Sequence, residues 1–433
     1  MLKASSTLRW IYIDLNSYFA SVEQHLNPHL RGRPVAVVPT MNTDSTCAIA
    51  ASYEAKALGI KTGTMIYQAR RLCPDLHVVP ARHDRYVEYH HLIMAEIEHH
   101  IPLTKICSID EVACRLQGST QDKTQAIALA HRIKQGISDN VGICLRSSIG
   151  IAPNRFLAKV ASNLHKPDGL TVIESHELPD RLVHLNLRDL PGIGRRMERR
   201  LSDAGITSLK AFWDLDPRHA RKLWHSVEGE RFWYALRGVE IADPPENQRQ
   251  TVGHSHVLSP AMRPRAKARN VARRLTVKAA TRMRRLGFHA TFYNLYVRYD
   301  VKRSPHQKPG PDRWQGYVKL PPTQNNFTLL TNLNSLWNAI PDSRESQRIL
   351  QVSVALYGLI HQNDIMPDMF QALNDPLSRE HKKHDRLSKA MDSVNKRFGF
   401  DTIVVGSLPE PMARFTGSKI AFTRIPQKDE FHE

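Results

Sequence analysis

Asp110 and Glu111 stand side by side within Cys107–Leu116, CSIDEVACRL, among Ile106, Ile109, Val112, Ala113 and Leu116, which are β-forming or small and apolar. Burying a charge without a partner is costly, so the pair needs either water or a cation. A third carboxylate, Asp14, ends the apolar run WIYIDL at Trp10–Leu15. Three carboxylates brought together can hold two divalent cations about 4 Å apart, which clamps the attacking and leaving oxygens of a phosphoryl transfer. Mg²⁺ suits such a site because it prefers oxygen ligands and shares them with substrate phosphates. Neighbours on a regular strand point to opposite faces. Asp110 and Glu111 can therefore serve one metal pair only from a strand end, a turn or a bulge. Spacing alone leaves a plainer reading open, in which the pair caps the solvated end of a strand.

Two further stretches suit phosphate. Leu190–Leu209, LPGIGRRMERRLSDAGITSL, sets Gly192 and Gly194 before a basic helix and Gly205 after it. Glycines let backbone N–H groups approach a phosphate, a helix N-terminus adds a favourable dipole, and Arg195, Arg196, Arg199 and Arg200 supply counter-charge. The pattern looks like a helix-hairpin-helix element, which grips a DNA backbone without reading sequence; a Gly-capped helical turn without a ligand is the alternative. Between Arg263 and Arg285 lie ten Arg or Lys and no Asp or Glu. Val271, Leu275, Ala279 and Met283 form an apolar helix face, and Arg274, Lys278, Arg282 and Arg285 fall near another line. Ten like charges without compensation repel one another, so phosphate contact is the expected use. His90, His91, His99 and His100 have no Cys or His partner at zinc-site spacing and read as solvated surface.

These residues need elements to position them. The chain has 433 residues, room for two to four domains of roughly 100–200 residues each, and 41% hydrophobic residues for their cores. Lys plus Arg total 61 against 42 Asp plus Glu, a formal charge of +19, which points to a polyanionic partner. No apolar run approaches the roughly 18 residues of a membrane span, and MLKASSTLRW is too short and polar for a signal peptide. The five cysteines, Cys47, Cys73, Cys107, Cys114 and Cys144, are odd in number and read as reduced thiols of a cytosolic protein. Strands are expected at Trp10–Leu15, Pro34–Val38, the CSIDEVACRL segment (strand or hairpin) and SSIGIA. Helices are expected at about Ala50–Leu58, Ile66–Leu72, Asp84–His100, Lys123–Asn140 and in NRFLAKVASNLHK. This mixture makes an α/β or α+β unit ending near Glu174. A helical segment follows at about Leu178–Arg237, then a polar linker, Ile241–Gln250. A second α+β unit reads strand, helix, strand, strand, helix, strand up to Tyr357. In the tail, His361–Glu433, only DTIVVG looks strand-like.

Five motifs in order, IDLNSYFASVE (Ile13–Glu23), ASYEAKALGIKTG (Ala51–Gly63), SIDE (Ser108–Glu111), GIAPNRFLAKVASNLHKPDG (Gly150–Gly169) and LPGIG (Leu190–Gly194), resemble those of the Y-family (DinB/UmuC-type) DNA polymerases. The resemblance covers roughly Trp10–Tyr357. It implies a multidomain α+β right-hand polymerase: palm at 1–25 and 80–174, small fingers at 26–79, helical thumb with the hairpin at 175–240, linker at 241–250, little finger at 251–360 and a C-terminal extension at 361–433. It implies low-fidelity, DNA-templated synthesis in translesion repair and the SOS response, with two Mg²⁺ ions, primer-template DNA and dNTP, in a cytoplasmic monomer. By position, Asp14, Asp110 and Glu111 match the catalytic metal ligands, with the Leu15 carbonyl as a further ligand. Phe19 matches the steric gate against a 2′-hydroxyl, with Tyr18 beside it in the nucleotide site. Tyr53, Lys56 and Lys166 match the triphosphate contacts. Asn16 stands where many members have Asp, and Lys56 where Arg is usual; a lysine cannot make the bidentate fork. Met366–Phe370, MPDMF, falls where UmuC-like proteins carry a sliding-clamp peptide, but lacks the leading Gln. The competing expectation is an inactive DNA-binding accessory of the same fold that recruits another polymerase.

Overall fold

A computed structural model describes residues 7–39, 41, 46–242, 250–300, 313–344, 346–365, 376–399, 402–406 and 425. The expected clamp peptide, Met366–Phe370, and most of the expected linker lie outside the described residues. The backbone divides into two compact units, one within Met1–Asp243 and one within Pro244–Gly417.

In the first unit the strands are, in chain order, β1 (Trp10–Leu15), β2 (Val35–Val38), β3 (Ala50–Ala51), β4 (His77–Pro80), β5 (Leu103–Ile106), β6 (Glu111–Arg115), β7 (Ser147–Ala152) and β8 (Leu170–Val172). Five of them form one sheet in the order β5-β6-β1-β7-β8, antiparallel except for the β7–β8 pair. Every residue of β1 and β7 is buried, so both faces of the sheet are covered. The period of two then sorts the side chains. Ile11, Ile13, Leu15, Val112, Cys114, Ile149 and Ile151 enter one core with residues of helices His83–His100 and Lys123–Gly136. Trp10, Tyr12, Ala113 and Ala152 face a second core with helix Arg155–Leu164 and the short helices around Phe212. Asp14 shares the second face with Tyr12, so its surroundings come from helix Arg155–Leu164. That helix lies very close to the sheet: a Cβ on Gly150 would stand 2.0 Å from the Ala158 carbonyl oxygen and 2.4 Å from the Ser162 nitrogen.

A small sheet, β3-β2-β4, closes over its own core of Ala36, Val38, Ala55, Ile60, Ile66 and Ala69. Its helix begins at Tyr53 rather than Ala50. Ala50 and Ala51 pair with β2 instead, and the Ser52 hydroxyl caps the helix by accepting the Ala55 N–H.

The second unit has strands β9 (Thr251–Val257), β10 (Phe288–Tyr299), β11 (Arg313–Thr323) and β12 (Ile349–His361), paired antiparallel in the order β11-β10-β12-β9. Helices Arg265–Arg285 and Asn326–Asn338 bury one face of this sheet around Tyr293, Leu295, Leu333 and Val354. The strand and helix order is the one expected. In the tail, helix Pro376–Phe398 is fastened by Asp392, whose Oδ2 accepts from Arg284 Nε at 2.6 Å. The described part of DTIVVG, Thr402–Gly406, forms bends and not a strand. The Asn395 amide takes both the N–H and the carbonyl of Ile403, at 2.8 and 3.0 Å, the groups a strand partner would need. No helix among the described residues is long and apolar enough to cross a membrane.

Because the Gly150 contacts are to backbone and cannot be relieved by a rotamer change, Gly150→Ala is expected to lower stability by about 1–3 kcal/mol, the usual cost of overpacking. The urea midpoint reads this; an unchanged midpoint would show that the helix can shift freely.

Candidate active site

The register of β1 on β6 sets Asp14 directly across from Glu111. The Leu15 N–H donates to the Asp110 carbonyl at 2.8 Å. β6 begins at Glu111, and Asp110 occupies the turn just before it, where the N–H groups of Cys107 and Ser108 donate to the Glu111 carbonyl at 2.9 and 3.2 Å. This is the strand-end placement that adjacent carboxylates need to serve one site. The Asp110 carboxyl is pushed above its ordinary range by burial; the Ser108 hydroxyl, donating at 2.5 Å, opposes this, and the charges of Asp14 and Glu111 add to it.

Two lysines meet these carboxylates. The Lys159 ammonium donates to Asp14 Oδ2 and, at 2.6 Å, to Glu111 Oε1. Lys166 Nζ is 2.7 Å from the same Asp14 Oδ2. The Tyr12 hydroxyl donates to Glu111 Oε2 at 2.9 Å, and burial together with Glu111 holds that phenol protonated. Lys159 was not among the residues singled out from the sequence. Its signal was there: a lone lysine in FLAKVA, on a helix whose Leu157, Ala158, Val160 and Ala161 are buried, needs an anionic partner.

Tyr53 and Lys56 join the same group. Lys56 Nζ donates to Ser17 Oγ at 2.7 Å and lies 4.4 Å from the Tyr53 ring centre. Burial and the neighbouring Lys166 lower the Lys56 pKa, against Asp14 and Asp110. Burial and Asp14 raise that of Tyr53, against a hydrogen bond with Ser17. Asn16, the departure noted from sequence, donates to Ser148 Oγ at 3.0 Å and accepts the Asp168 N–H at 2.7 Å, tying the Asp168 turn to the start of the site without adding a fourth negative charge.

The Phe19 ring stacks on Tyr86 with centres 4.2 Å apart. Tyr86 is fixed in turn: its hydroxyl donates to Glu23 Oε1 at 2.8 Å, and Arg82 Nε donates to the same oxygen at 3.1 Å. Sequence reasoning missed this support because its members are some 60 residues apart. Tyr18, expected beside the nucleotide, turns its hydroxyl to the Tyr86 carbonyl at 2.6 Å and is buried, so it braces Phe19's platform. His90, expected on the surface, is 1% exposed, and its Nδ1 lies 2.8 Å from the Ile109 carbonyl, one residue before Asp110. His100 pairs with Glu96 at 3.0 Å. Among the described residues no three His, Cys, Asp or Glu side chains converge on a point able to hold a metal as they stand; between Asp14 and Glu111 stands the Lys159 ammonium.

In the expected hairpin, Gly192 has φ +96° and Gly205 +79°, both requiring glycine's freedom. Gly194 caps helix Arg195–Asp203, Ile193 is buried, and Arg195 and Arg196 are exposed at the helix start. The basic line of the second unit divides. Arg274 is 9% exposed; the pKa of half-buried His256 on β9 is lowered by desolvation and then by the Arg274 charge, and Lys278 and Arg282 are half-buried and Arg285 exposed. The open face of the sheet, which no helix among the described residues covers, shows Arg313, Gln315, Tyr317 and Lys319 along β11. The strict polar alternation of RWQGYVKL was its sequence signal.

The impB/mucB/samB family model matches residues 13–163, and that family's C-terminal domain matches 249–368. DNA polymerase IV 1 of Bacillus subtilis is 32% identical over 292 residues, 66% of this chain and 69% of that protein. DNA polymerase IV of Moorella thermoacetica is 42% identical over 206 residues; that match spans 47% of this chain and about half, 51%, of the relative. A solved Y-family DNA polymerase chimera (Dbh–Dpo4–Dbh) has the same fold, with a TM-score of 0.66 and 24% identity, covering 82% of this chain and 99% of its own.

His90 gives this site a pH signature. Burial lowers its pKa from 6.5 to about 4, so the folded state holds it neutral while the unfolded chain protonates first. Its contribution is full above pH 6.5 and is lost as the pH falls toward 4, a change on the order of 3 kcal/mol. Denaturation midpoints measured from pH 7 to 4 should fall more steeply for the native chain than for His90→Gln. Parallel profiles would contradict this.

Proposed function

This chain belongs to the Y-family (DinB/UmuC-type) DNA polymerases, the impB/mucB/samB family, and from that membership we propose how its residues share the work of templated nucleotidyl transfer. It is a DNA-directed DNA polymerase of the translesion class. The observation that carries the site assignment is the β1–β6 register, which sets Asp14 opposite Glu111 with Asp110 on the adjoining turn.

The donor set suits divalent metal: three carboxylates concentrate enough negative charge to draw two ammonium groups onto one aspartate oxygen, and oxygen donors match Mg²⁺. Asp14, Asp110, Glu111 and the Leu15 carbonyl would hold two Mg²⁺ ions, which when bound supply charge neutralisation at the triphosphate. The chain's own residues do the rest. Tyr53, Lys56 and Lys166 hold the triphosphate, and Lys166 exchanges Asp14 for phosphate oxygens. Phe19, backed by Tyr86, fills the space a ribose 2′-hydroxyl would need. With the substrates so held, the primer 3′-oxygen attacks the α-phosphorus, the bond to the bridging oxygen breaks, and pyrophosphate leaves.

In this reading residues 1–25 and 80–174 are the palm, 26–79 the fingers, 175–240 the thumb, 251–360 the little finger and 361–433 an extension. Gly192, Gly194, Arg195 and Arg196 contact the DNA backbone. In the second unit, the open sheet face and, on helix Arg265–Arg285, Arg285 with the half-buried Lys278 and Arg282 supply phosphate contacts, and Arg274 serves inside the unit. The five cysteines are free, in keeping with a reducing cytoplasm, and the chain acts as a monomer.

Primer extension on undamaged template tests the assignment. Asp110→Ala with Glu111→Ala should abolish extension while DNA binding persists; if the native chain also fails to extend, the DNA-binding accessory reading stands instead. Phe19→Ala should raise ribonucleotide use relative to deoxynucleotide by about 10- to 100-fold, the scale set by a shape-based pocket. An unchanged ratio would remove Phe19 from the gate.

A further inference from the structure

Lys159 is a charged residue at the carboxylates that the family reading above leaves without a task. Its ammonium bridges Asp14 Oδ2 and Glu111 Oε1, one oxygen from each of two proposed metal ligands. A cation cannot enter between those oxygens while the ammonium holds both. We propose that Lys159 is a built-in counter-cation that occupies the metal position in the metal-free chain and is displaced when metal binds. The proposal rests on the two-metal reading of this site.

Position and burial separate Lys159 from Lys166. The Lys166 side chain is 28% exposed and that of Lys159 17%. Lys166 follows the helix, in the HKPDG turn, and has a triphosphate to move to. Lys159 is held inside helix Arg155–Leu164, pressed onto the sheet at Gly150, so its Cα cannot retreat and only its side chain can swing. Its Nζ already lies 5.0 Å from the Tyr12 ring centre, and an ammonium over a phenol face is attracted by the ring, a contact it can keep when the carboxylates are taken. Burial disfavours its charge, but Asp14 and Glu111 outweigh that and raise its pKa. The consequence is twofold. The carboxylates are kept from repelling one another before substrate arrives, and metal must compete for its ligands, so its apparent affinity is set partly by this chain's own cation.

Mn²⁺ is the probe, added to the full chain without DNA, with free ion followed by electron paramagnetic resonance. Lys159→Met should bind Mn²⁺ about tenfold more tightly than the native chain, the effect of losing one charge-assisted contact. Lys159→Arg, which keeps the positive charge, should not show that gain. Affinity unchanged or weakened in a folded Lys159→Met overturns the proposal. In the native chain itself, acetylation of Lys159 by acetic anhydride, read by peptide mass spectrometry, should be slow without metal and at least about fivefold faster with saturating Mn²⁺, as the side chain leaves the carboxylates and its free-amine form, the one that attacks the anhydride, becomes accessible. An unchanged rate while Mn²⁺ is bound also overturns it. Asp14→Asn is the control for the underlying reading. If Asp14→Asn binds Mn²⁺ as the native chain does, the metal site lies elsewhere, and the two-metal assignment falls together with the role of Lys159.

Discussion

Three carboxylates cannot sit together at the end of buried strands without cations, and that constraint organises the first unit. Two like charges about 4 Å apart repel by roughly 4 kcal/mol at an effective dielectric near 20, and burial removes the water that would screen them. The sheet solves the problem with its period of two. One face of β1 carries Ile11, Ile13 and Leu15 into an apolar core, leaving the other face to present Tyr12 and Asp14 to helix Arg155–Leu164. Gly150 lets that helix come close enough for Lys159 to reach across to both strands. Backbone packing, then, decides where the charge lands.

The remaining wall of the site is built the same way, by buried polar groups that fix an apolar one. Phe19 has no polar atom to hold it in place, so its orientation comes from the stack on Tyr86, and Tyr86 from Glu23 and Arg82. Glu23 is buried and would be costly alone; Arg82 and the Tyr86 hydroxyl satisfy it. Asn16 and Ser17 join this wall to the carboxylates. Asn16 ties β7 and the Asp168 turn together, and Ser17, at φ 48°, turns the chain sharply into Phe19's helix while holding Lys56. In the proposed assignment of Phe19 as a shape filter such rigidity matters, because a ring free to tilt would admit the extra hydroxyl.

Much of this was legible in the residues, and what was not shares a cause. Strand β1, the helices at Ile66 and Asn326 and the order of the second unit were readable because each is a local, periodic pattern. Asp110 and Glu111 announced themselves as charges among apolar neighbours. Lys159 showed only its need for an anion, and Tyr86 and His90 showed nothing, since their partners lie 145, 63 and 19 residues away and no local pattern names a partner at that distance. The Arg274 line misled for a related reason: a helical wheel shows which residues share a face, not which face the sheet will cover. Arg274 was covered, leaving the alternating polar residues of β11 on the open side.

The choice of lysine at position 56 follows from the same crowding. Lys56 stands near Lys166, and its pKa is lowered by burial and by that neighbour. A guanidinium in its place would be a larger, always-charged fork beside Lys166. The lysine ammonium is a compact charge that donates to Ser17 Oγ, and the Tyr53 face beside it favours its charged form. In the proposed assignment, an arriving triphosphate draws both lysines toward its oxygens and takes Lys166 off Asp14. The substitution gives up the two-pronged fork of an arginine, and in return the cations can stay packed around three carboxylates without a substrate to neutralise them.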